Sequence, residues 1–315
     1  MATLHGISKT MISPPEWLNR EEPYLVGVSG GRDSIALHHW LVENSFNKIV
    51  YCHLNHELRK GESDDDEKFL RKLLSKDLIV GRVNVAELAE NENLSLETAA
   101  RDARHRFFQE CATQTGINHI LLAHHADDQA ETILFNLLRG TAGLKGMKIQ
   151  QEFGPLTILR PFLEVRREFI NRYLSSLNHS FRDDSSNLEP FATRNRLRNE
   201  AIPLLSDIMK RDINTNILRA FDHHRDLEDA ADNFLSEVKI LDPQGRIYLP
   251  TLRTLPQALQ KRSIHQFLSS HSIPNLTSAH VDQALSIMHP DAPPSMNLPG
   301  GQRLRRKEAR LFISL

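Results

Sequence analysis

The chain is poor in cysteine and has almost no net charge, and each shortage excludes a class of protein. Cys52 and Cys111 are its two cysteines, too few for a disulfide framework and too far apart for a Cys-x-x-Cys motif. We therefore expect buried free thiols in a reducing compartment. The formal net charge of −1 lacks the overall basic character of many nucleic-acid binders, so any RNA contact must use local basic patches.

Long apolar runs are also absent. No run approaches the roughly 18 residues that a membrane-spanning helix needs, and residues 1–15 contain no apolar core of the signal-peptide kind. The sequence therefore predicts a cytoplasmic protein with no membrane partner. At 315 residues the chain is long enough for two domains.

One stretch organises the rest of the chain. An apolar run at residues 24–28 stops at two glycines, and a helical apolar pattern begins at Ile35. Strand, tight loop and helix in this order favour an anion site, because glycine lets the backbone approach a ligand and the helix N-terminus presents unpaired N–H groups. We call this segment the glycine loop; it consists of Ser29, Gly30, Gly31, Arg32, Asp33 and Ser34.

The glycine loop also carries side chains suited to phosphate. Ser29 and Ser34 can donate hydroxyl hydrogen bonds, and Asp33 can hold a Mg²⁺ ion that is bound to phosphate oxygens. The segment lacks the lysine of Gly-x4-Gly-Lys-Ser/Thr and the spacing of Gly-x-Gly-x-x-Gly. An ordinary strand-to-helix turn is the alternative interpretation.

Strand-like and helix-like segments alternate from residue 24 to residue 140. This alternation predicts an α/β fold with a mainly parallel, doubly wound sheet. It includes a strand over residues 78–85. After residue 140 the pattern loosens, and a helix over 194–208 that Pro203 interrupts follows. Short strands at 247–249, 304 and 311–314 then bracket two helices. We predict a catalytic domain over residues 1–220 and a smaller α+β domain over residues 221–315.

Polar motifs follow the predicted strands, where a parallel sheet places its ligands. His53 and His56 can hydrogen-bond a nucleotide. Asp128 and Glu131 share one face of a helix start, where they either face water as dipole partners or form an anionic pocket for an ammonium group. His124 belongs to the same motif.

Three groups of arginines carry two interpretations each. Arg101 and Arg104 share a helix face with Glu97, which indicates either an exposed ion-pair stripe or a phosphate clamp. Arg194 and Arg198 oppose the dipole of a predicted helix start, which favours a bound anion such as a carboxylate or an RNA phosphate. The basic segment 303–310 is either a solvated hairpin edge or a phosphate contact.

The glycine loop resembles the PP-loop of the N-type ATP pyrophosphatases, and the chain as a whole resembles the shorter type of bacterial tRNA(Ile)-lysidine synthetase. The resemblance covers most of residues 23–200, in family order. It is carried by the glycine loop, His53-Leu-Asn-His56 with Leu58-Arg59, Glu97 with Arg101 and Arg104, residues 123–132, Arg160-Pro161, Asp184-Ser-Ser-Asn187 and Arg194-Asn-Arg-Leu-Arg198. Ser185 departs from the proline common at that point of the family.

The resemblance implies a two-step reaction on the wobble cytidine of a CAU-anticodon isoleucine tRNA. The C2 oxygen is first adenylated by ATP, and the ε-amine of free L-lysine then displaces AMP to give lysidine. The implied site residues fall into four groups. They are Asp33, Arg104, His124, Asp128 and Glu131 for catalysis; the glycine loop, His53 and His56 for ATP; Asp128, Glu131, Arg194 and Arg198 for lysine; and Asp33 for Mg²⁺.

Three rival functions remain at this point. A tRNA thiolase of the same superfamily would need cysteines for sulfur chemistry, and an ammonia-using ligase would need a glutaminase or a partner. A non-catalytic tRNA-binding protein would have lost Asp33 or Ser34, and both are present. The C-terminal domain is predicted to bind tRNA, and a homodimer is compatible with the sequence.

Overall fold

The computed structural model describes residues 12–58, 62–74, 77–141, 143–177 and 193–314. The predicted Arg59 contact and the motif at residues 184–187 lie outside these ranges. The chain divides into two compact units, Met1–Arg219 and Ala220–Leu315. The division falls inside the long helix Ile213–Glu237.

The first unit is built on a six-stranded sheet. Its strand order is β3-β2-β1-β4-β6-β5, and the paired strands are parallel except for β5, which runs antiparallel to β6. The strands are β1 (Tyr24–Gly27), β2 (Ile49–Asn55), β3 (Leu78–Arg82), β4 (His119–Leu121), β5 (Gln150–Phe153) and β6 (Leu156–Leu159).

Helices cover both faces of this sheet because its strands are apolar on both sides. Along β1, Tyr24 and Val26 pack with Trp40 in one core, while Leu25 packs with Phe108 in the other. The predicted doubly wound α/β fold is thereby confirmed. The helices are α1 (Arg32–Glu43), α2 (Glu62–Leu74), α3 (Val85–Glu92), α4 (Leu96–Thr115), α5 (Ala126–Leu138) and α6 (Arg167–Leu177).

The predicted strand over residues 78–85 is too long. Strand β3 ends at Arg82, and α3 begins three residues later. The Asn84 side chain accepts a hydrogen bond from the Glu87 backbone N–H at 3.2 Å, which is an N-cap that starts a helix. Local capping therefore overrides the apolar run that suggested a longer strand.

The predicted interruption at Pro203 is also in the wrong place. Helix α7 (Thr193–Arg196) runs into a π-helix at Leu197–Ala201, which is followed by α8 (Ile202–Met209) and α9 (Ile213–Glu237). Pro203 sits in the first turn of α8, where a missing backbone N–H costs little. The irregularity lies before the proline, in the π-helix.

The second unit packs the C-terminal part of α9 and three further helices with a four-stranded antiparallel sheet of order β7-β10-β9-β8. Its β9 carries the basic segment and pairs on both sides, so the hairpin-edge interpretation is wrong. The predicted strand at 247–249 stops at Tyr248, and β8 was not predicted. The elements are β7 (Ile247–Tyr248), α10 (Leu249–Thr254), α11 (Gln257–Ser270), α12 (Ser278–Ser286), β8 (Ser295–Asn297), β9 (Arg303–Lys307) and β10 (Arg310–Ser314).

Among the helices in the described ranges, none has the length and apolar character needed to cross a membrane.

Candidate active site

The candidate site lies where the strand order of the large sheet reverses. From β1 the chain moves outward through β2 and β3, and it then returns to place β4 on the other side of β1. The segments that follow β1 and β4 therefore face each other beyond the carboxyl ends of neighbouring strands, which is where open α/β sheets bind ligands. The glycine loop follows β1, and His124, His125 and Asp128 follow β4.

The glycine loop has the backbone of an anion cradle. Gly30 has φ +82°, a left-handed conformation that glycine adopts without a Cβ penalty. The Ser34 hydroxyl donates to the Gly31 carbonyl at 2.8 Å and accepts from the Ser29 backbone N–H at 3.2 Å. The Arg32 side chain donates from Nη1 to Asn171 Oδ1 at 3.2 Å.

His125 joins the glycine loop to the motif after β4. Its ring lies 3.6 Å from Asp33 (Nε2 to Oδ2) and 3.4 Å from Asp128 (Nδ1 to Oδ2), and its side chain is 1% exposed. Burial favours the neutral imidazole, but Asp128 and Asp33 outweigh burial and raise the pKa of His125. Burial likewise raises the pKa of Asp33, but His125 and the nearby Arg167 and Arg198 hold it below its ordinary value.

His125 is also the N-cap of α5. Its ring accepts from the Asp128 N–H at 3.2 Å, and the Asp128 carboxylate accepts from the His125 N–H at 3.0 Å. This reciprocal capping fixes both side chains at the helix start. The prediction of site residues omitted His125, although its place between a buried strand and an acidic helix start was a usable signal.

Asp128 and Glu131 form an acid pair that Arg198 occupies. The Arg198 Nε donates to Glu131 Oε1 at 2.6 Å, and its Nη2 donates to Glu131 Oε2 at 2.9 Å and to Asp128 Oδ1 at 2.6 Å. Burial raises the pKa of Glu131 even though Arg198 opposes that shift. The two acids therefore do not face water as simple dipole partners.

Two further predicted residues lie beside this group. The Arg194 guanidinium packs over the ring of Phe135, which lies one helical turn after Glu131 on α5, at 5.3 Å from the ring centroid. Arg194 Nε also lies 3.6 Å from Glu97 Oε1. The Glu97 carboxylate thus faces Arg194 rather than Arg101 or Arg104. Among the described residues, no carboxylate is within ion-pair distance of Arg101 or Arg104.

The other side of the site is cationic. Burial lowers the pKa of the His56 and His124 imidazoles to about 4, and the nearby positive charge of Arg104 contributes to both shifts. Arg160 is 6% exposed and donates from Nε to His124 Nδ1 at 3.2 Å. Its other nitrogens donate to the Lys148 carbonyl at 2.6 Å and to Gln151 Oε1 at 3.0 Å. The resemblance included Arg160 but gave it no role.

Several buried polar atoms of the site lack a hydrogen-bond partner within the described part of the chain. Among them are Asp33 Oδ1, His53 Nε2 and His56 Nδ1. His53 donates through Nδ1 to the Val28 carbonyl at 2.9 Å, which leaves Nε2 as an acceptor. Buried polar atoms are rarely left unpaired in native proteins, so these three atoms are candidates for contact with a polar ligand.

Asp33 Oδ1 is also suited to a metal ion that is held mainly by a ligand. In the described ranges, no group of three or more His, Cys, Asp or Glu side chains could hold a metal by itself. Mg²⁺ commonly binds through one or two carboxylates and substrate phosphates. One unpaired carboxylate oxygen next to a phosphate cradle fits that requirement.

Both cysteines are structural. Cys52 and Cys111 are free and buried, and they pack in the core formed by β1, β2 and α4 with Leu25 and Phe108. The expectation of buried free thiols is confirmed.

The second unit presents a basic face of its own. Along β9, Leu304 points into the core, while Arg303, Arg305 and Lys307 are exposed on the opposite side. The register pairs Arg305 with Phe312 on β10, and alternation places the Phe312 ring on the same outer face. We call Arg303, Arg305, Lys307 and Phe312 the β9 face.

Comparison with known proteins follows the same two units. A family model described as a PP-loop domain matches residues 7–205, and one described as a TilS substrate binding domain matches residues 248–312. The chain belongs to the PP-loop domain family. The glycine loop lies within the matched residues, and we call it the PP-loop from here on.

Curated relatives support the resemblance to the tRNA(Ile)-lysidine synthetases. A tRNA(Ile)-lysidine synthase of Bacillus subtilis (strain 168) is 38% identical over 199 residues, covering 59% of this chain and 42% of that protein. One of Thermus thermophilus is 32% identical over 303 residues, covering 93% of this chain and 57% of that protein. The chain spans about half the length of the curated relatives it matches.

Among solved structures, the fold is similar to that of the U34-tRNA thiolase NcsA from Methanococcus maripaludis. The TM-score is 0.52 with 14% sequence identity, over 65% of this chain and 73% of that chain. At this identity the likeness concerns the fold alone.

Proposed function

We propose that the protein ligates free L-lysine to C2 of the wobble cytidine in a CAU-anticodon isoleucine tRNA, at the expense of ATP. One observation carries the proposal: Asp33 and His125 connect the phosphate side to the partly buried acid pair of Asp128 and Glu131 within one site. A reaction that first adenylates a base and then receives a cationic amino acid needs both halves next to each other. The names of the curated relatives support the same activity.

The phosphate half suits the adenylation step. The cytidine C2 oxygen attacks the α phosphate of ATP, the C2–O–P bond forms, and pyrophosphate leaves. The PP-loop backbone, Arg104 and His124 would position the triphosphate and spread its charge, which is the main requirement of phosphoryl chemistry. His53 and His56 would hydrogen-bond the nucleotide through their unpaired nitrogens. Mg²⁺ on Asp33 would supply charge neutralisation at the phosphates.

The acidic half suits the lysine step. The ε-amine nitrogen forms a bond to C2, the C2–O bond breaks, and AMP leaves with its electron pair. The amine must lose a proton, and Asp128 or Glu131 would accept it. Arg198 and Arg194 are the cationic candidates for the lysine carboxylate.

The β9 face suits contact with the tRNA. Its three cations can meet backbone phosphates, and the partly exposed Phe312 ring among them can stack on a base. The second unit would then supply the positive charge that the chain as a whole lacks.

The thiolase alternative is disfavoured by the cysteines. Sulfur-carrying chemistry needs reactive, accessible thiols, and both thiols of this chain are buried in a hydrophobic core. The fold likeness to a thiolase carries no weight for function.

Incorporation of labelled lysine tests the proposal. The protein is incubated with ATP, Mg²⁺ and an unmodified CAU-anticodon isoleucine tRNA, with the CAU-anticodon methionine tRNA as the matched control. We expect ATP-dependent label in the isoleucine tRNA, lost in Asp33→Ala. Formation of AMP in the presence of tRNA but without lysine incorporation would indicate that another nucleophile attacks the adenylated base, which would favour the thiolase alternative.

A further inference from the structure

The hairpin of β5 and β6 leads away from the candidate site. Arg160 Nε donates to His124 Nδ1 at 3.2 Å, and Arg160 Nη2 donates to Gln151 Oε1 on β5 at 3.0 Å. Phe153 follows Gln151 by two residues on the same strand. Side chains two residues apart in a strand point to the same face, roughly 7 Å from each other. Phe153 therefore continues the line of side chains that begins at His124.

The Phe153 ring contacts α4. Its centroid lies 4.2 Å from that of the His105 ring, with an angle of 48° between the two planes. One turn further along α4, Gln109 approaches the turn of the hairpin, since a Cβ at Gly154 would lie 3.0 Å from Gln109 Nε2. The hairpin thus packs along α4. Both rings are half-buried, so each keeps a part that a ligand can reach.

Arg101 adds a positive charge beside the two rings. It precedes His105 by four residues and Arg104 by three, so the three side chains share one face of α4. Arg101 is exposed. In the described ranges, no carboxylate lies within ion-pair distance of its guanidinium. An exposed arginine without a carboxylate partner is available to an external anion.

The positive charges on this side of the site act on one another. Burial lowers the pKa of the Arg104 guanidinium, and the charge of Arg101 lowers it further. The same two causes lower the pKa of Arg160 to about 10. Burial also lowers the pKa of His105, with Arg101 as the next cause and Asp102 opposing it. Three guanidiniums thus repel one another beside a neutral imidazole, and an anion would relieve that repulsion.

We propose that Arg101, His105 and Phe153 bind the anticodon-loop nucleotides next to the wobble cytidine. We call these three residues the α4 surface. Arg101 binds a backbone phosphate, and the rings stack on a neighbouring base, which is the combination that proteins use for single-stranded nucleic acid. A base that reacts must leave its stack, and the α4 surface holds the adjoining strand while the cytidine enters the site. This inference rests on the proposed function and names a surface that positions its substrate.

The place of the α4 surface favours RNA over the triphosphate of ATP. His53 and His56, which are proposed to hold the nucleotide, follow β2 at the other end of the site. In the order β3-β2-β1-β4-β6-β5, β5 lies four positions from β2, or about 19 Å at 4.8 Å per strand. A second phosphate-bearing ligand fits that separation better than the same ATP molecule does.

The experiment measures binding of an RNA that contains only the anticodon stem and loop of the isoleucine tRNA. We expect Arg101→Gln to weaken binding about tenfold and to reduce the slope of log Kd against log salt by about 0.7, for one phosphate contact on a single strand. Phe153→Leu keeps an apolar side chain in the hairpin but removes the ring. It should weaken binding about tenfold with an unchanged slope. The Kd of ATP, measured without RNA, should not change in either variant.

Each variant has a matched control. Arg106→Gln makes the same change of charge on the same helix, at an exposed residue that pairs with Glu92 at 3.0 Å. Phe169→Leu makes the same change of ring at a residue of α6 that is 38% exposed. Neither control should alter RNA binding.

Several outcomes would overturn the inference. A Kd of ATP that rises in Arg101→Gln as much as the Kd of the RNA would assign Arg101 to the triphosphate. Unchanged RNA binding in Arg101→Gln or Phe153→Leu would contradict the α4 surface, and so would an equal loss in the corresponding control.

His105→Gln covers the case in which Phe153→Leu does not fold, which urea unfolding reports. It removes the other ring of the pair, so RNA binding should weaken with an unchanged salt slope, and undiminished binding would contradict the inference. These binding measurements need neither lysine nor ATP turnover. Absence of lysine incorporation by the wild type would instead refute the proposed function.

Discussion

Arg160 holds His124 in one tautomer. The Arg160 Nε–H donates to His124 Nδ1 at 3.2 Å, so Nδ1 carries no proton and the ring hydrogen of the neutral imidazole is on Nε2. Burial, with the positive charges of Arg160 and Arg104, lowers the pKa of His124 to about 4. At neutral pH His124 is therefore an uncharged hydrogen-bond donor with a fixed orientation, suited to a phosphate oxygen in the proposed reaction.

Replacement of Arg160 should disturb catalysis through His124. We expect His124→Gln to slow tRNA adenylation by about 10²-fold, as for loss of one preorganised donor, and Arg160→Gln to slow it by a smaller factor. Removal of the Arg160 charge should also raise the pKa of His124, so the acid limb of the rate profile should move to higher pH. Rates from about pH 3.5 to pH 8, a range that includes the wild-type pKa of about 4, test this. An unmoved limb would make Arg160 purely structural, and Arg172→Gln, on the exposed side of α6, is the control.

The low pKa values of His56 and His124 predict a loss of stability in acid. Both groups have a folded-state pKa of about 4, below the unfolded value of about 6.5. The unfolded chain binds protons first, so the free energy of unfolding decreases as pH falls from about 6.5 toward 4. Between pH 7.5 and pH 5, the free energy of unfolding should fall by about 1–2 kcal/mol less in His56→Asn than in the wild type. Urea unfolding at both pH values measures this difference. The prediction is contradicted if the free energies of unfolding of the variant and the wild type differ by the same amount at both pH values.

Gly30→Ala should remove activity with little loss of stability. A Cβ at Gly30 would meet Asp66 at an ordinary 3.5 Å, so the cost is the left-handed backbone at φ +82°, about 1 kcal/mol. Gly116→Ala is the matched control, with φ +73° and open space around it. We expect the two variants to lose the same amount of stability. Only Gly30→Ala should lose tRNA adenylation. Retained adenylation in Gly30→Ala would show that the PP-loop tolerates distortion.

The β9 face should account for part of the salt dependence of tRNA binding. Replacing Arg303, Arg305 and Lys307 by Gln should weaken binding and reduce the slope of log Kd against log salt by about 2–3, at roughly 0.7–0.9 per phosphate contact. Phe312→Ala should weaken binding about tenfold with an unchanged slope, because stacking is not ionic. Replacing Lys68, Arg106 and Arg172, three exposed cations of the first unit, makes the same change in net charge. An equal effect of that control would leave no specific role for the β9 face.

The fold and the location of the site were accessible from the sequence because they depend on local patterns. Alternating apolar runs and the two glycines after β1 identify the sheet and the PP-loop, and the strand-end motifs must meet at its carboxyl edge. Short-range signals also explain the errors. The cap at Asn84 ended a strand early, and the π-helix before Pro203 has no signature in composition.

The side-chain pairs across the candidate site could not be predicted from the sequence, because they depend on tertiary geometry. Nothing in the spacing of Asp128, Glu131 and Arg198 indicates that the arginine occupies the acids, because 67 residues separate Glu131 from Arg198. The same holds for Arg160 and His124, which are 36 residues apart. The ligand roles of these residues, like the homodimer, stay predictions.

The most direct test of the proposed function is to follow the α phosphate of ATP. The protein is mixed with α-³²P-labelled ATP, Mg²⁺ and CAU-anticodon isoleucine tRNA without lysine, and lysine is added afterwards. The account predicts label on the tRNA before the addition and its release as AMP on addition of lysine. Label that never reaches the tRNA, with AMP formed only through adenylated lysine, would contradict the account.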